Sequence, residues 1–370
     1  MEGCDNMKNV VIFLCDRKED VRERRGYTTA FRDAGYSIVF CSEAAFLKDI
    51  LLQNKRAVFC VIHPEPYVGF HPVNLWDFKI PNIIIQWDTF TIPKKRVLAA
   101  RPYDIQVICH PGYENYYKRH GCENVLLLPW CIDDLLLAEV VTNRSFEKTF
   151  DIGWVGRSDA TFYSYRRAVL QMINENHYGT NDTNKYYSWH EMFCVFLQSK
   201  LVINVSRDDH LADANMRCFE AMGCGALLFT KKPTELDELG FKSGYHFIGY
   251  INTDDLKNKI EYYLKNEKER SVIADRGREL VLSSHTYRTR VASIISYVKK
   301  NGELAIDKSW FRKLSSNDRH YYLAFGHYKE GNARELYKAI LKVNMTKKIK
   351  LLPMFLKLKL RSFRKKYLCF

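Results

Sequence analysis

The chain has 370 residues, 46% of them hydrophobic and 27% charged, which excludes disorder throughout and supplies apolar volume for about two domains. No run approaches the ~18 apolar residues that a membrane span needs, and the opening MEGCDNMKN lacks the basic-then-apolar order of a signal peptide, so a cytoplasmic location is expected. The net charge of +14 is concentrated: Lys338 to Phe370 holds eleven Lys and Arg and no acid, which leaves only +3 over the preceding 337 residues.

Over the first 135 residues, short β-branched runs alternate with longer polar, periodic segments, the pattern of a parallel sheet wrapped by helices. Strands are predicted at 10–15, 37–41, 57–62, 82–87, 104–110 and 124–129, and helices at 20–34, 43–53 and 113–120. Gly35 and Gly121 directly follow two of these helices, where a left-handed C-terminal cap favours glycine. Residues 1–140 are therefore read as one Rossmann-like domain. The polar stretch VVTNRSFEKT at 140–149 reads as a linker to a second α/β series at 150–300. Its strands are predicted at 150–155, 201–205, 226–230 and 246–250, and its helices at 162–176, 191–198, 215–222, 254–265, 268–282 and 287–299. In the last helix Tyr287, Val291, Ile294, Ile295 and Val298 keep the spacing of one buried stripe. The fold class is thus α/β, with two Rossmann-like domains facing a cleft, and ligands are expected beyond the carboxyl ends of the strands. Residues 301–370 form a third, helical segment with a basic tail. Pro353 is expected to interrupt any single helix in the tail, leaving a short helix from about Met354 that lies on an anionic membrane surface; a solvated tail or a protein contact is the alternative. The eleven cysteines include no C-x-x-C and read as reduced core residues, against disulfides or zinc.

Neither the dinucleotide fingerprint G-x-G-x-x-G nor the P-loop is present. After the strand at 150–155 come Gly156 and Arg157, where loop N–H groups and a cation suit an anion, although a plain turn has the same composition. After LVINVS come Arg207, Asp208, Asp209 and His210, and Asn215, Arg217 and Glu220 open the following helix. A helix N-terminus with an arginine fork suits a diphosphate, and Glu220, about one and a half turns in, suits a pair of ribose hydroxyls. The same spacing also suits a simple Asn215 cap and a surface Arg217–Glu220 ion pair.

Between Leu201 and Tyr297 the segments LVINVSRD, NMRCFEAMGCGALLFT, DDLKNKIEYYLKNEKERSVIADRGRELV and HTYRTRV occur in order. Together they resemble the carboxyl-terminal domain of GT-B glycosyltransferases, in the group 1, spore-maturation-like branch, and FDIGWVGRSD is similar to that domain's first strand and loop. In the amino-terminal half RRGYTTAFRDAGYSIVF and YDIQVICHPGYENYYKRHGCENVLLLPWCID fit the acceptor domain more loosely. The resemblance implies that Glu220 holds the donor ribose, that Arg207 and Arg217 neutralise the diphosphate, and that Gly156 and Arg157 face it. Many relatives carry a second acid eight residues before the glutamate; here that place is Ala212, with Asp213 beside it.

The expected activity is transfer of a sugar from a nucleoside diphosphate donor to a polysaccharide, glycoconjugate or lipid-linked acceptor. Arginines and a helix N-terminus can stabilise the departing diphosphate, so neither a metal nor a cofactor is expected, and Asp208-Asp209 reads as a solvated turn. A general base for the acceptor is expected from the first domain. Asp88 is the first choice, beside Trp87 as a sugar-stacking surface, followed by His110 and His63; a turn-forming aspartate and satisfied core histidines are the structural alternatives. A sugar-nucleotide epimerase shares this architecture and is the second enzymatic reading. A nucleic-acid partner for the basic tail is disfavoured by the near-neutral body.

Overall fold

The computed structural model describes residues 9–15, 22–42, 44–55, 57–65, 75–329 and 331–367. Cys4, Cys369 and the first residues of two predicted helices, Asp20 and Glu43, lie outside them. The first sheet is wholly parallel. Its elements are β1 (Val10–Leu14), α1 (Arg22–Asp33), β2 (Ser37–Cys41), α2 (Ala44–Asn54), β3 (Val58–Pro64), β4 (Asn82–Gln86), α3 (Pro93–Ala100), β5 (Ile105–Ile108), α4 (Glu114–Arg119) and β6 (Val125–Leu127), with the strands in the order β2-β1-β3-β4-β5-β6. Val11 to Leu14 and the whole of β3 are buried, with no alternation of exposure. That is the mark of strands covered on both faces, which is why these runs are continuously apolar.

After α5 (Asp134–Val141) come β7 (Phe150–Gly153), α6 (Ser164–Glu175), α7 (Trp189–Leu197), β8 (Ser199–Asn204), α8 (Met216–Gly223), β9 (Leu227–Lys231), β10 (Ile248–Tyr250), α9 (Thr253–Lys265), α10 (Glu267–Ser284) and α11 (Tyr287–Lys308). The second sheet is also parallel, in the order β10-β9-β8-β7. Phe193, Phe196, Phe219 and Phe247 fill its core on one side, and Trp154, Phe229 and Tyr250 fill it on the other. The predicted stripe on α11 holds, with Tyr287, Val291, Ile294 and Val298 buried. Four helices complete the chain: α12 (Trp310–Lys313), α13 (Ser316–Lys329), α14 (Ala333–Leu341) and α15 (Met345–Tyr367).

The chain divides into two compact units: one of Met1–Val21, Gly35–Leu127 and Ile294–Phe370, the other of Arg22–Ala34 and Leu128–Ser293. Two assignments differ from the sequence reading. Helix α1 lies between two strands of the first sheet in sequence, yet it clusters with the second unit. There Arg25 donates to Asp133 at 2.6 Å and Glu139 at 2.9 Å, and the Tyr27 ring meets Tyr287 edge-on at 5.1 Å. Residues beyond 300 cluster with the first unit and do not stand apart. Arg312 fixes them: its guanidinium meets the fully buried Asp104 carboxylate at 2.8 Å and the carbonyls of Trp76 and Phe78 at 2.7 and 3.0 Å. Hydrophobic periodicity announces a helix without naming the surface that will cover its apolar face.

Pro353 corrects the third expectation, because it lies inside α15, which runs unbroken across it. An internal proline removes a hydrogen bond and costs about 3 kcal/mol. Leu351 before it and Leu358 after it are both buried with Ala324, Leu336, Ala339 and Ile340, so both sides of the proline are held by one packed surface. Among the described residues, eight cysteines are buried and Cys194 is half-buried, all of them free thiols. Burial pushes Cys122 and Cys131 up to about 12, which keeps them protonated and inert.

His285, between α10 and α11, is packed against the rings of Phe219 and Phe241 at 5.2 and 5.0 Å. Arg290 donates to its Nδ1 at 2.7 Å, which requires that nitrogen to be unprotonated. Burial first, and the Arg290 charge second, push the imidazole from 6.5 down to about 3. The unfolded chain then binds a proton that the folded chain refuses, so stability falls as pH drops from 6.5 towards 3. The loss should approach about 1.4 kcal/mol per pH unit in that window. Urea unfolding of wild type against His285→Gln across this range checks it: the difference between the two should shrink steadily as the pH falls.

Candidate functional site

Strands β7, β8 and β9 are parallel neighbours, so the loops that follow them emerge together at one edge of the second sheet. The loop after β7 is pinned by Asn181, whose side-chain oxygen accepts from the Trp154 amide at 2.8 Å and whose side-chain nitrogen donates to the Trp154 carbonyl at 2.7 Å. Trp154 itself is buried, and its indole N–H reaches the Gly156 carbonyl at 3.3 Å.

Two arginines converge on this ring. The Arg217 guanidinium lies 5.7 Å from the centre of Trp154 and that of Arg166 lies 5.8 Å from it, both within cation–π range. Arg217, from α8, donates to the Val155 carbonyl at 2.7 Å and to Asn204 Oδ1 at 3.1 Å. Arg166, from α6, donates twice to the Val205 carbonyl, at 3.0 and 2.6 Å, and once to the carbonyl of Arg157. The Arg166 side chain is buried, and desolvation followed by the like charge of Arg217 pulls it down to about 10. A positive charge is therefore being held where it is electrostatically uncomfortable. Gly156 makes the approach possible, because a β-carbon there would collide with the Arg217 guanidinium.

The base of the site is a buried amide and hydroxyl cluster. Asn215 caps α8, its side-chain oxygen accepting from the Arg217 amide at 3.1 Å, while its side-chain nitrogen donates to Asn204 Oδ1 at 3.0 Å and to Ser206 Oγ at 2.9 Å. Asn204 in turn donates to Thr230 Oγ1 at 3.2 Å, joining the ends of β8 and β9. The N-terminus of α8 is thus held rigidly beside the two guanidinium groups, and its N–H groups add to their positive field.

Of the residues singled out from sequence, the structure brings Gly156, Asn215 and Arg217 together. Glu220 is on the same helix and buried, 3% exposed, so it does not stand at the surface. Arg207 and Arg157 turn elsewhere. Arg207 forms a fork with Asp209 at 2.9 and 2.8 Å and stacks 4.3 Å over Phe162; Arg157 forms a fork with Asp159 at 3.1 Å on each arm and is well exposed. Asp208 is not a solvated turn. It caps α6, accepting from the Ser164 amide at 2.7 Å, the Ser164 hydroxyl at 2.6 Å and the Tyr165 amide at 3.1 Å. Burial works to raise its carboxyl, and these bonds outweigh it, so the net shift is downward.

In the first unit, Asp88 is exposed just beyond β4, whereas His110 is fully buried, with ring contacts to Phe90 and Tyr113 at 5.1 and 6.5 Å. His63 is a satisfied core histidine whose Nδ1 bonds the Tyr103 hydroxyl. Trp87 is 7% exposed, so it offers no open ring for stacking on a sugar. Sequence reasoning missed Arg166 and Glu235. Glu235, which follows β9, is buried; one carboxylate oxygen lies 3.1 Å from His210 Nε2 and the other accepts from the Ala214 amide at 3.2 Å. Its own amide donates to the Ala212 carbonyl at 2.8 Å. The signal for it was an acid just past a strand end, in KKPTELDEL.

Residues 157–296 match the glycosyl transferase-like family. The fold is similar to that of HepE from Anabaena, solved in complex with UDP, at 10% identity over 80% of this chain and 100% of that one with a TM-score of 0.54. Sucrose-phosphate synthase from Thermosynechococcus elongatus is similar at 11% identity over 80% and 99% of the two chains with a TM-score of 0.52. A glycosyltransferase from Rickettsia africae is similar at 10% identity over 80% and 98% with a TM-score of 0.54. No curated protein matches the chain in sequence. The matched segment, 157–296, contains Arg166, Arg207, Asn215, Arg217 and Glu220, and the fold around it is that of the GT-B glycosyltransferases.

Proposed function

We propose that the chain is a glycosyltransferase that takes its sugar from a nucleoside diphosphate donor bound at the strand ends of the second unit, and passes it to a hydroxyl of a glycan or glycoconjugate acceptor. The observation that carries this reading is the Arg166–Arg217 pair held against Trp154 at the N-terminus of α8. A diphosphate relieves the repulsion between the two guanidinium groups and supplies acceptors for their forks. HepE has been solved with UDP and with UDP-glucose, which makes UDP the first nucleotide to test.

In this reading the negative charge that grows on the departing diphosphate is met by fixed arginines and by the α8 amides, which supply the field a divalent cation would otherwise provide, and the transfer runs without a metal. Gly156 keeps the loop low enough for the phosphates. Glu220 accepts from the ribose hydroxyls. Arg207 and Arg157 swing from their aspartates to the phosphates, an exchange that costs little because exposed ion pairs are weak. Ala212 occupies the place of the acid that many relatives have, and Glu235 with His210 supplies a carboxylate to the same loop, facing the donor sugar. Of the three residues expected to act as base, Asp88 is the exposed one and is retained for the acceptor hydroxyl.

Replacing Arg217 by Ala should weaken UDP binding by about 1.5 to 3 kcal/mol, or roughly tenfold to 150-fold, the range of charge-assisted hydrogen bonds. Titration calorimetry on a folded variant measures it, and unchanged affinity would remove the arginine pair from the donor site. Asp88→Asn keeps the shape and removes the basic carboxylate, so turnover should fall by ~100-fold or more while UDP affinity holds. Activity within a few-fold of wild type would take Asp88 out of the reaction.

A further inference from the structure

Helix α15 has two apolar faces. One packs: Leu351 and Leu358 are buried against α13 and α14. The other is open. Met345, Ile349, Leu352, Leu356 and Leu360 are 73%, 69%, 50%, 53% and 62% exposed, and their spacing of four, three, four and four residues lines them along one side of the helix. At 100° per residue that stripe is roughly opposite the packed face, and it runs about 22 Å along the axis. Lysines border it on both sides: Lys350 and Lys357 along one edge, Lys348 and Lys359 along the other. Lys338 and Lys347 are engaged by Glu335 and Asp318, and no acid follows Glu335 in the sequence.

We propose that this face of α15 lies on an anionic phospholipid membrane. An apolar stripe with lysines along both borders matches a lipid interface, where the side chains enter the acyl boundary and the ammonium groups reach the headgroup phosphates. Charge selects the occupant. A second copy of the helix would set lysine against lysine on both borders, whereas an anionic surface complements every one of them. No helix among the described residues is long and apolar enough to cross a membrane, so α15 rests on the surface and does not span it. The inference stands apart from the proposed reaction, because α15 belongs to the first unit and contains none of the donor-site residues.

Co-sedimentation of the full chain with vesicles of phosphatidylcholine alone, and of phosphatidylcholine mixed with phosphatidylserine, tests it. Wild type should pellet with the anionic vesicles, release in high salt, and stay in solution with the neutral ones. Leu352→Ser/Leu356→Ser changes only exposed side chains, so the helical circular dichroism and UDP binding should be unaltered while partitioning falls about tenfold or more. Lys350→Gln/Lys357→Gln should lower it by a similar factor, each neutralised lysine costing about fivefold. Equal pelleting with both vesicle types, or wild-type partitioning by the serine variant, overturns the proposal. A dimer in analytical ultracentrifugation that the serine variant abolishes, with no vesicle binding, overturns it in favour of a second copy.

Discussion

Two like charges confined to a poorly hydrated place repel each other, and the site depends on how the fold meets that cost at Arg166 and Arg217. Burial and mutual repulsion depress the Arg166 guanidinium, yet it stays charged because the carbonyls of Val205 and Arg157 turn towards it. Arg217 is held likewise by the Val155 carbonyl and by Asn204. At Arg166 the acceptors are carbonyl dipoles, which offset part of the desolvation without cancelling the charge as a bonded carboxylate would. The proposed binding of a diphosphate rests on that choice of acceptor.

Two further cations, which join the site only in the proposed reading, are held in a different way. Arg207 and Arg157 each close a fork on an aspartate two residues away, Arg157 well exposed and Arg207 half-buried over Phe162. Pairs of this kind contribute at most about 1 kcal/mol, so they can be exchanged for a phosphate with little loss. In the proposed reading the site joins a fixed part, set by hydrogen bonds across β7, β8 and α8, to an adjustable part on its loops. Preorganised charge favours catalysis because little reorganisation is needed when charge develops. Exchangeable pairs suit the admission and release of a charged ligand.

The carboxyl-terminal helices show how far tertiary packing overrides a local rule. Proline inside a helix is costly, but in α15 the burial of Leu351 and Leu358 against one surface spans the defect. That packing also fixes the rotation of the helix, and with the rotation it decides which leucines are left to solvent. An unpacked α15 would have no inner or outer face. The same logic governs α1, whose apolar periodicity is plain but whose covering surface, around Asp133, Glu139 and Tyr287, lies more than a hundred residues away in the chain.

What the sequence determined by itself is what depends on near neighbours along the chain. Continuous β-branched runs marked the buried parallel strands, glycine marked helix ends at Gly35 and Gly121, where φ is 85° and 89°, and Asn215 marked the start of α8. From these the α/β class, the succession of strands along the chain and the helix that carries Arg217 were legible. The partners were not. Arg166 looked like an ordinary helical arginine because its acceptor, the Val205 carbonyl, lies 39 residues on, and the Val155 carbonyl that receives Arg217 lies 62 residues back. Glu235 was invisible as a site residue for the same reason, since its bond to His210 spans 25 residues. A parallel sheet brings the ends of successive strands together only after the intervening helices have crossed over, so the residues that meet there share no local pattern. Whether an arginine becomes part of a site or a solvated surface charge was decided by the register of β7 against β8 and by the burial which that packing imposes.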